Sequence, residues 1–285
     1  MNQYIAKRSD NNQQTLQEHT EKLLENFEIL KKILKKYIQL GKETEKEEIE
    51  KAVYLACLFH DIGKASKEFQ VKITKQEPQP KQEIPHNLLS AAIFYFLRKH
   101  HFKENLDLFK KIHYAIACHH NRCDIDIDNP EPILEDFAVR VENDLKDWIL
   151  EKLKNYGIAQ LNIDKSKLTD GLRFTSELKK WISRNEDFLK DKKTILIKGL
   201  LHRLDHAASS DVEVEKGLIE DYQSVFIKGL SKKGINELRD FQKKALDYKD
   251  KSVILTASTG MGKTEFALNW VAGYKAFYTY LFVSL

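Results

Sequence analysis

His60 and Asp61 stand side by side at the end of the run Ala52 to Phe59, in which every side chain is apolar, aromatic or small. An imidazole and a carboxylate at the mouth of a buried helix are costly to desolvate without an opposing charge. A divalent cation is the partner such a pair points to. Other residues share the same placement: His19 lies among Leu16, Leu23, Leu24 and Phe27, and His86 opens an apolar stretch. His119 and His120 close another such stretch, and Asp205 interrupts the run Thr194 to Ser209. Imidazole and carboxylate together suit iron, manganese, cobalt, nickel or zinc better than calcium, which prefers oxygen alone. Two ions that share a bridging carboxylate need roughly seven ligands. His19, His60, Asp61, His86, His119, His120 and Asp205 supply that number. Any one of these histidines, taken alone, is more often an ordinary core or surface residue, as His100, His101, His113 and His202 are read here. The metal reading rests on the joint pattern.

Helices must position these groups. Residues 13–40 carry apolar side chains at three- and four-residue intervals with lysine and glutamate between them, which predicts a long amphipathic helix. A charged connection, Gly41 to Lys51, leads into the buried helix that ends at His60, and Gly63 is expected to let the chain turn out of it. Lys75 to Pro85 holds three prolines and reads as a loop. Further helices are expected over Leu88 to Leu97, 106–120, 133–158, 171–190 and Thr194 to Ser209. Asp124, Asp126, Asp128 and Glu135 have the spacing of a calcium loop, but Asn129 and Pro130 stand where glycine and a backbone donor are needed. A solvated acidic loop is the reading there. The expected class is mainly α, helical from residue 13 to about residue 230.

The character then changes. Ser252 to Thr256 is a β-branched apolar run, and Ala257 to Thr264 follows the Walker A pattern with alanine for the first glycine. A loop of backbone N–H groups at a helix N-terminus favours phosphate. Thr259, Gly260 and Gly262 would form the loop, Lys263 would reach the β- and γ-phosphates, and Thr264 would reach magnesium. This stretch resembles motif I of superfamily 2 helicases, and Leu238 to Gln242 resembles the segment in which a glutamine, here Gln242, reads adenine. A helix from Glu265 and a second strand, Phe277 to Leu285, would begin a βαβ unit. Two parallel strands cannot bury both faces of a sheet. The expectation is therefore a RecA-like α/β lobe that is incomplete in this chain, cut from a longer nuclease-helicase.

The order His19, His60-Asp61, Asp205 resembles the HD metal-dependent phosphohydrolase superfamily, and His86 with His119-His120 resembles its two-metal members. More closely, His60-Asp61-Ile62-Gly63-Lys64 leading to Phe69-Gln70, His86 with Ser90, and Arg203 to Ser209 resemble the HD nuclease of the type I CRISPR-associated nuclease-helicase. The resemblance implies an HD nuclease domain over residues 1–230 and the start of the helicase lobe over 231–285. It implies two divalent ions (manganese, nickel, cobalt, iron or magnesium). His19, His60, Asp61 and Asp205 would hold one, Asp61, His86, His119 and His120 the other, and Asp61 would bridge. Lys64 would neutralise a phosphate, with a solvated lysine at a helix end as the plainer role. Arg203 and His206 would orient Asp205 or touch substrate. ATP with magnesium would belong only to the complete helicase.

Forty-seven basic and forty-three acidic side chains nearly balance, so charge is compatible with nucleic acid without demanding it. Three cysteines, Cys57, Cys118 and Cys123, match no zinc or redox spacing, which points to a reducing cytoplasm. No apolar run is long enough to span a bilayer, so no membrane partner is expected. The resemblance implies single-stranded DNA as substrate, with a CRISPR surveillance complex, its guide RNA and the remainder of the helicase, in cis or in trans, as partners. An HD-type nucleotide or cyclic-dinucleotide phosphodiesterase is the first alternative; its cyclic-dinucleotide members carry Gly-Tyr-Pro after the His-His pair, where Asn121-Arg122-Cys123 stands here. A non-catalytic, metal-stabilised docking module for a helicase is the second. The chain is expected to bind ATP at most weakly and not to turn it over; ATP hydrolysis above that of a Lys263→Ala control would overturn this.

Overall fold

Ala52 to Phe59 are buried without exception, and the helix that carries them is the axis of the first of two compact units, Met1–Glu215 and Lys216–Leu285. The protein is described by a computed structural model over residues 4–9, 12–37, 43–120, 129–215 and 222–272. Cys123, the acidic stretch Asp124 to Asp128 and the expected strand Phe277 to Leu285 lie outside the described residues.

The first unit opens with a two-stranded antiparallel hairpin, β1 (Ile5–Ser9) and β2 (Asn12–Thr15). Among the described residues eleven α-helices follow: α1 (Leu16–Tyr37), α2 (Glu43–Phe59), α3 (Lys67–Thr74), α4 (His86–Phe94), α5 (Arg98–His101), α6 (Leu106–Ala117), α7 (Glu131–Arg140), α8 (Lys146–Leu153), α9 (Leu168–Ile182), α10 (Asp187–Lys190) and α11 (Lys192–Ser209). α2 packs against α1, α4, α6 and α11. α4 is the second buried element, since every residue from Asn87 to Phe94 is buried. It lies so close to α9 that a Cβ on Gly171 would fall 2.8 Å from the Ala92 Cα. Aromatic rings fill the space between α2, α4 and α6, with Phe94 stacked on Phe109 at 5.1 Å and Phe59 edge-on to Phe94 at 5.4 Å. These contacts bring three otherwise separate helices into one core.

The hairpin is a departure from the expected helix over 13–40. The helix starts at Leu16 because Thr15 caps it. The Glu18 N–H donates to Thr15 Oγ1 at 3.2 Å, and the Thr15 N–H donates to Glu18 Oε2 at 2.8 Å. This reciprocal pair satisfies two end groups that a longer helix would otherwise have claimed. The hairpin is pinned by Gln70, whose amide accepts from the Ile5 N–H at 3.0 Å and donates to the Ile5 carbonyl at 2.9 Å. The helix expected over 133–158 is broken by a π-helical turn, Val141–Leu145. From that turn Asp144 accepts a hydrogen bond from the Tyr4 hydroxyl. A local widening of this kind re-aims one side chain within a helix.

In the second unit the described helices are α12 (Tyr222–Lys232), α13 (Asp240–Lys243) and α14 (Lys263–Trp270). The strand expected at Ser252 to Thr256 is not formed among the described residues, and Ile254 is 97% exposed. Strand structure exists only through a partner's ladder, and the segment expected to supply it lies outside the described residues. The mainly helical class therefore holds for what is described.

His113 is fully buried on α6. Its Nε2 lies 2.8 Å from Thr175 Oγ1, which itself donates to the Gly171 carbonyl at 3.0 Å. Burial, aided by the nearby Arg98 charge, lowers the His113 pKa to about 3. An unfolded histidine titrates near ~6.5, so between these values the unfolded chain binds a proton that the folded one refuses. This contribution to stability is complete above ~6.5 and is lost as pH falls toward 3, at about 1.4 kcal/mol per pH unit. Urea unfolding from pH 5 to 7 should show that extra acid-side slope in the wild type and its loss in His113→Gln.

Candidate metal centre

Five helix ends converge on Asp61. α2 delivers His60 and Asp61 at its C-terminal end, α4 delivers His86 as its first residue, and His119 and His120 follow the end of α6. His19 comes from the first turns of α1 and Asp205 from the last turn of α11. Ligand atoms of His19, His60, Asp61 and Asp205 lie within 4.8 Å of one another, as do those of Asp61, His86, His119 and His120. All seven residues singled out in the sequence are thus brought together, and Asp61 belongs to both groups.

The two oxygens of Asp61 face different groups. Oδ2 lies 3.4 Å from His19 Nε2 and 3.3 Å from His60 Nε2. Oδ1 lies 3.4 Å from His86 Nε2 and 3.7 Å from His119 Nε2. Asp205 Oδ1 completes the first group, 3.2 Å from His19 Nε2 and 3.7 Å from His60 Nε2. These separations are long for charge-assisted hydrogen bonds. Indeed Asp61 Oδ1 and the Nε2 atoms of His60, His86 and His119 are buried without a hydrogen bond of ordinary geometry. Buried polar atoms of that kind call for a partner. Imidazole nitrogens and carboxylate oxygens clustered at this spacing fit a divalent cation.

The backbone orients the rings. His60 Nδ1 lies 2.8 Å from the Cys57 carbonyl, and His119 Nδ1 lies 2.7 Å from the Ile116 carbonyl. A carbonyl only accepts, so each Nδ1 carries a proton there and each Nε2 is the nitrogen turned toward the cluster. Both rings reach back three residues to the unpaired carbonyls of a helix end. That spacing is a sequence signal, because each histidine stands just beyond an apolar helical run. Asn87 and Ser209 were not singled out in the sequence. The Asn87 amide donates to the Ala117 carbonyl at 2.5 Å and so ties the start of α4 to the end of α6. The Ser209 hydroxyl lies 3.3 Å from Asp205 Oδ1. Nothing in their types marks them, since polar residues at helix ends are common.

Arg203 does not serve Asp205. It pairs with Glu215 and reaches the Val214 carbonyl at 3.5 Å, which fastens the chain after α11 back onto that helix. Lys64 lies at the cluster, its Nζ 2.7 Å from Asp61 Oδ2. Burial alone would raise the Asp61 pKa, but His60 and Lys64 overcome it and hold the carboxyl well below the usual range. Burial would likewise lower His60, yet Asp61 and Asp205 raise it to about 10. His86 is lowered, chiefly by burial. Partial burial of the His120 ring, with His119 and His86 beside it, lowers His120 to about 4.

Residues 13–212 match the family described as Cas3, HD domain. The chain belongs to the Cas3 HD-domain family. It is similar to the CRISPR-associated endonuclease Cas3-HD of Pyrococcus furiosus, at 31% identity over 101 residues, which is 34% of this chain and 42% of that relative. The matched stretch thus spans less than half of the relative. No solved structure matches at a significant level. All seven residues of the two groups fall inside the Cas3 HD match.

Gly63 has a different role from the expected turn out of α2. It lies in a 3-10 turn, Ile62–Ala65, and a Cβ there would fall 1.9 Å from the His86 carbonyl oxygen. Its N–H donates to Ser90 Oγ at 2.8 Å. The missing side chain is what lets the start of α4 approach Asp61. A second cluster of expected residues lies in the Lys216–Leu285 unit. Gln242, Thr259, Gly260, Gly262, Lys263 and Thr264 line one cavity of about 440 Å³. Lys263 Nζ donates to the Ala257 and Ser258 carbonyls at 2.6 and 3.0 Å, and Gln242 Nε2 donates to the Gly262 carbonyl at 2.8 Å. Gly260 and Gly262 have φ of 78° and 86°, a conformation that glycine adopts without strain.

Gly63→Ala should destabilise the first unit by about 1–3 kcal/mol through overpacking against the His86 carbonyl. Thermal unfolding would show this, with Gly199→Ala, inside α11 and with nothing within 4 Å, as the control that should not destabilise.

Proposed function

We propose that this Cas3 HD-domain chain is a metal-dependent nuclease that hydrolyses phosphodiester bonds of single-stranded DNA in type I CRISPR interference. The observation that carries the reading is Asp61, with one oxygen turned toward each of two ligand groups. His19, His60, Asp61 and Asp205 would hold one divalent ion and Asp61, His86, His119 and His120 a second, with manganese, nickel, cobalt, iron and magnesium as the candidates. When bound, such ions supply Lewis acidity toward a phosphate and lower the pKa of water.

The chain's own groups prepare the site. His60 and His119 are held by backbone carbonyls with Nε2 toward the cluster, so the nitrogens that would ligate are oriented before any ligand arrives. His86 and His120 have lowered pKa values and stay neutral at pH 7. Lys64 places a positive charge beside Asp61 at the edge of the cluster. It would face the anionic phosphate and offset its charge. Asp205 anchors His19 at 3.2 Å.

The loop with Lys263 would receive the phosphates of ATP, with Thr264 at magnesium and Gln242 at the base, as part of a complete helicase. The surveillance complex, its guide RNA and the remaining helicase are the proposed partners. Among the described residues no helix is long and apolar enough to cross a membrane.

Purified protein should cut single-stranded DNA with manganese, nickel, cobalt or magnesium and not with EDTA. Asp61→Ala should lose both ions by elemental analysis and lose cleavage by about a hundredfold or more. His86→Ala should keep one ion and still lose cleavage. DNA cleavage that survives Asp61→Ala would sink this reading, and turnover of nucleotides without cleavage of DNA would replace it with a phosphodiesterase.

A further inference from the structure

Beside the metal-ligand cluster lies a cavity of about 330 Å³ whose inner wall includes His86 and His120. The rest of the wall is of another kind. Phe69, Ile84 and Pro85 give it an apolar, partly aromatic side, and Lys72 and Glu83 stand at its rim. Lys72 Nζ lies 2.6 Å from Glu83 Oε1, so the rim charges offset each other and do not attract a second phosphate. Phe69 is fixed between two groups of the cluster. Its ring lies 5.4 Å from that of His86 at an interplanar angle of 67°, and Lys64 Nζ is 5.7 Å from its centroid. The remaining surface of the half-buried ring faces the cavity.

The geometry points to a nucleobase subsite at this cavity, in which the base of the nucleotide attached to the scissile phosphate packs on Phe69 against Ile84 and Pro85. The inference rests on the nuclease reading and deepens it. A phosphate held at the Asp61 cluster has its sugar and base one covalent link away. His86 and His120 belong to both places, so the cavity is where that base would fall. A flat, largely neutral heterocycle matches the aromatic and aliphatic side of the wall, where the Lys72 charge is already paired with Glu83. A base within a duplex is stacked on both faces and cannot enter without being flipped out, which costs energy. Stacking on an aromatic ring is tolerant of base identity. Phe69 therefore selects an unpaired strand without selecting a sequence, and single-strand preference is built beside the cluster itself.

The test needs no metal. Binding of fluorescein-labelled oligo-dT, and of an equally long chain of abasic deoxyribose phosphates, is measured by anisotropy in EDTA for wild type, Phe69→Ala and Phe69→Tyr. Wild type should prefer oligo-dT to the abasic chain. Phe69→Ala should weaken oligo-dT binding about fivefold or more and leave the abasic chain unchanged, and Phe69→Tyr should restore it. Equal wild-type affinity for the two strands overturns the subsite without recourse to any variant, as does a Phe69→Ala loss that is the same for both. If wild type cuts no DNA under any metal, the nuclease reading fails, while the binding comparison still decides the subsite.

Discussion

One carboxylate in an almost waterless position governs this molecule. Asp61 is 2% exposed, and an ionised carboxylate there is tolerable only because positive or proton-bearing groups surround it. His19, His60, His86, His119 and Lys64 all lie within 4 Å of its oxygens. No local segment could gather these groups. Asp205 joins the same cluster from 186 residues away from His19, so the first unit must close on itself for the charge to be compensated.

The surrounding fold is arranged to make that closure exact at a few backbone positions. Five helices reach the cluster at or near their ends, and helix ends offer unpaired carbonyls and N–H groups. The carbonyls of Cys57 and Ile116 orient two imidazoles, and the carbonyl of Ala117 holds Asn87 at the start of α4. Gly63 removes the one side chain that would keep α4 away. Groups that would otherwise be loose ends of helices thereby become the supports of the cluster.

The two ligand groups are not equivalent. The first holds two carboxylates and the second holds only the shared one, with three imidazoles. Coulomb attraction for a divalent cation is therefore greater at the first, and Lys64 at Asp61 Oδ2 moderates it. The second group opens onto the apolar cavity at Phe69. Charge is concentrated on one side of Asp61 and room for an organic moiety on the other, an asymmetry suited to a ligand with an anionic and a neutral part.

The seven clustered residues were legible in the sequence because each is a polar side chain set into an apolar helical run, where solvation alone makes it exceptional. The buried α2 and the mainly helical class were legible for the same reason, the period of the apolar positions. The hairpin before Leu16 was missed, although Thr15 and Glu18 carried a capping signal, because its strands are short and polar and are held by Gln70 from a distant helix. The unformed strand at Ser252 to Thr256 shows the same limit: β structure needs a partner that local composition does not contain. What the sequence by itself determined is which residues cannot be buried alone. That Asp61 turns one oxygen to each group, that Gly63 makes room for a carbonyl, and that Phe69 walls a cavity beside His86 were decided only by the tertiary structure, because each depends on a distance between segments far apart in the chain.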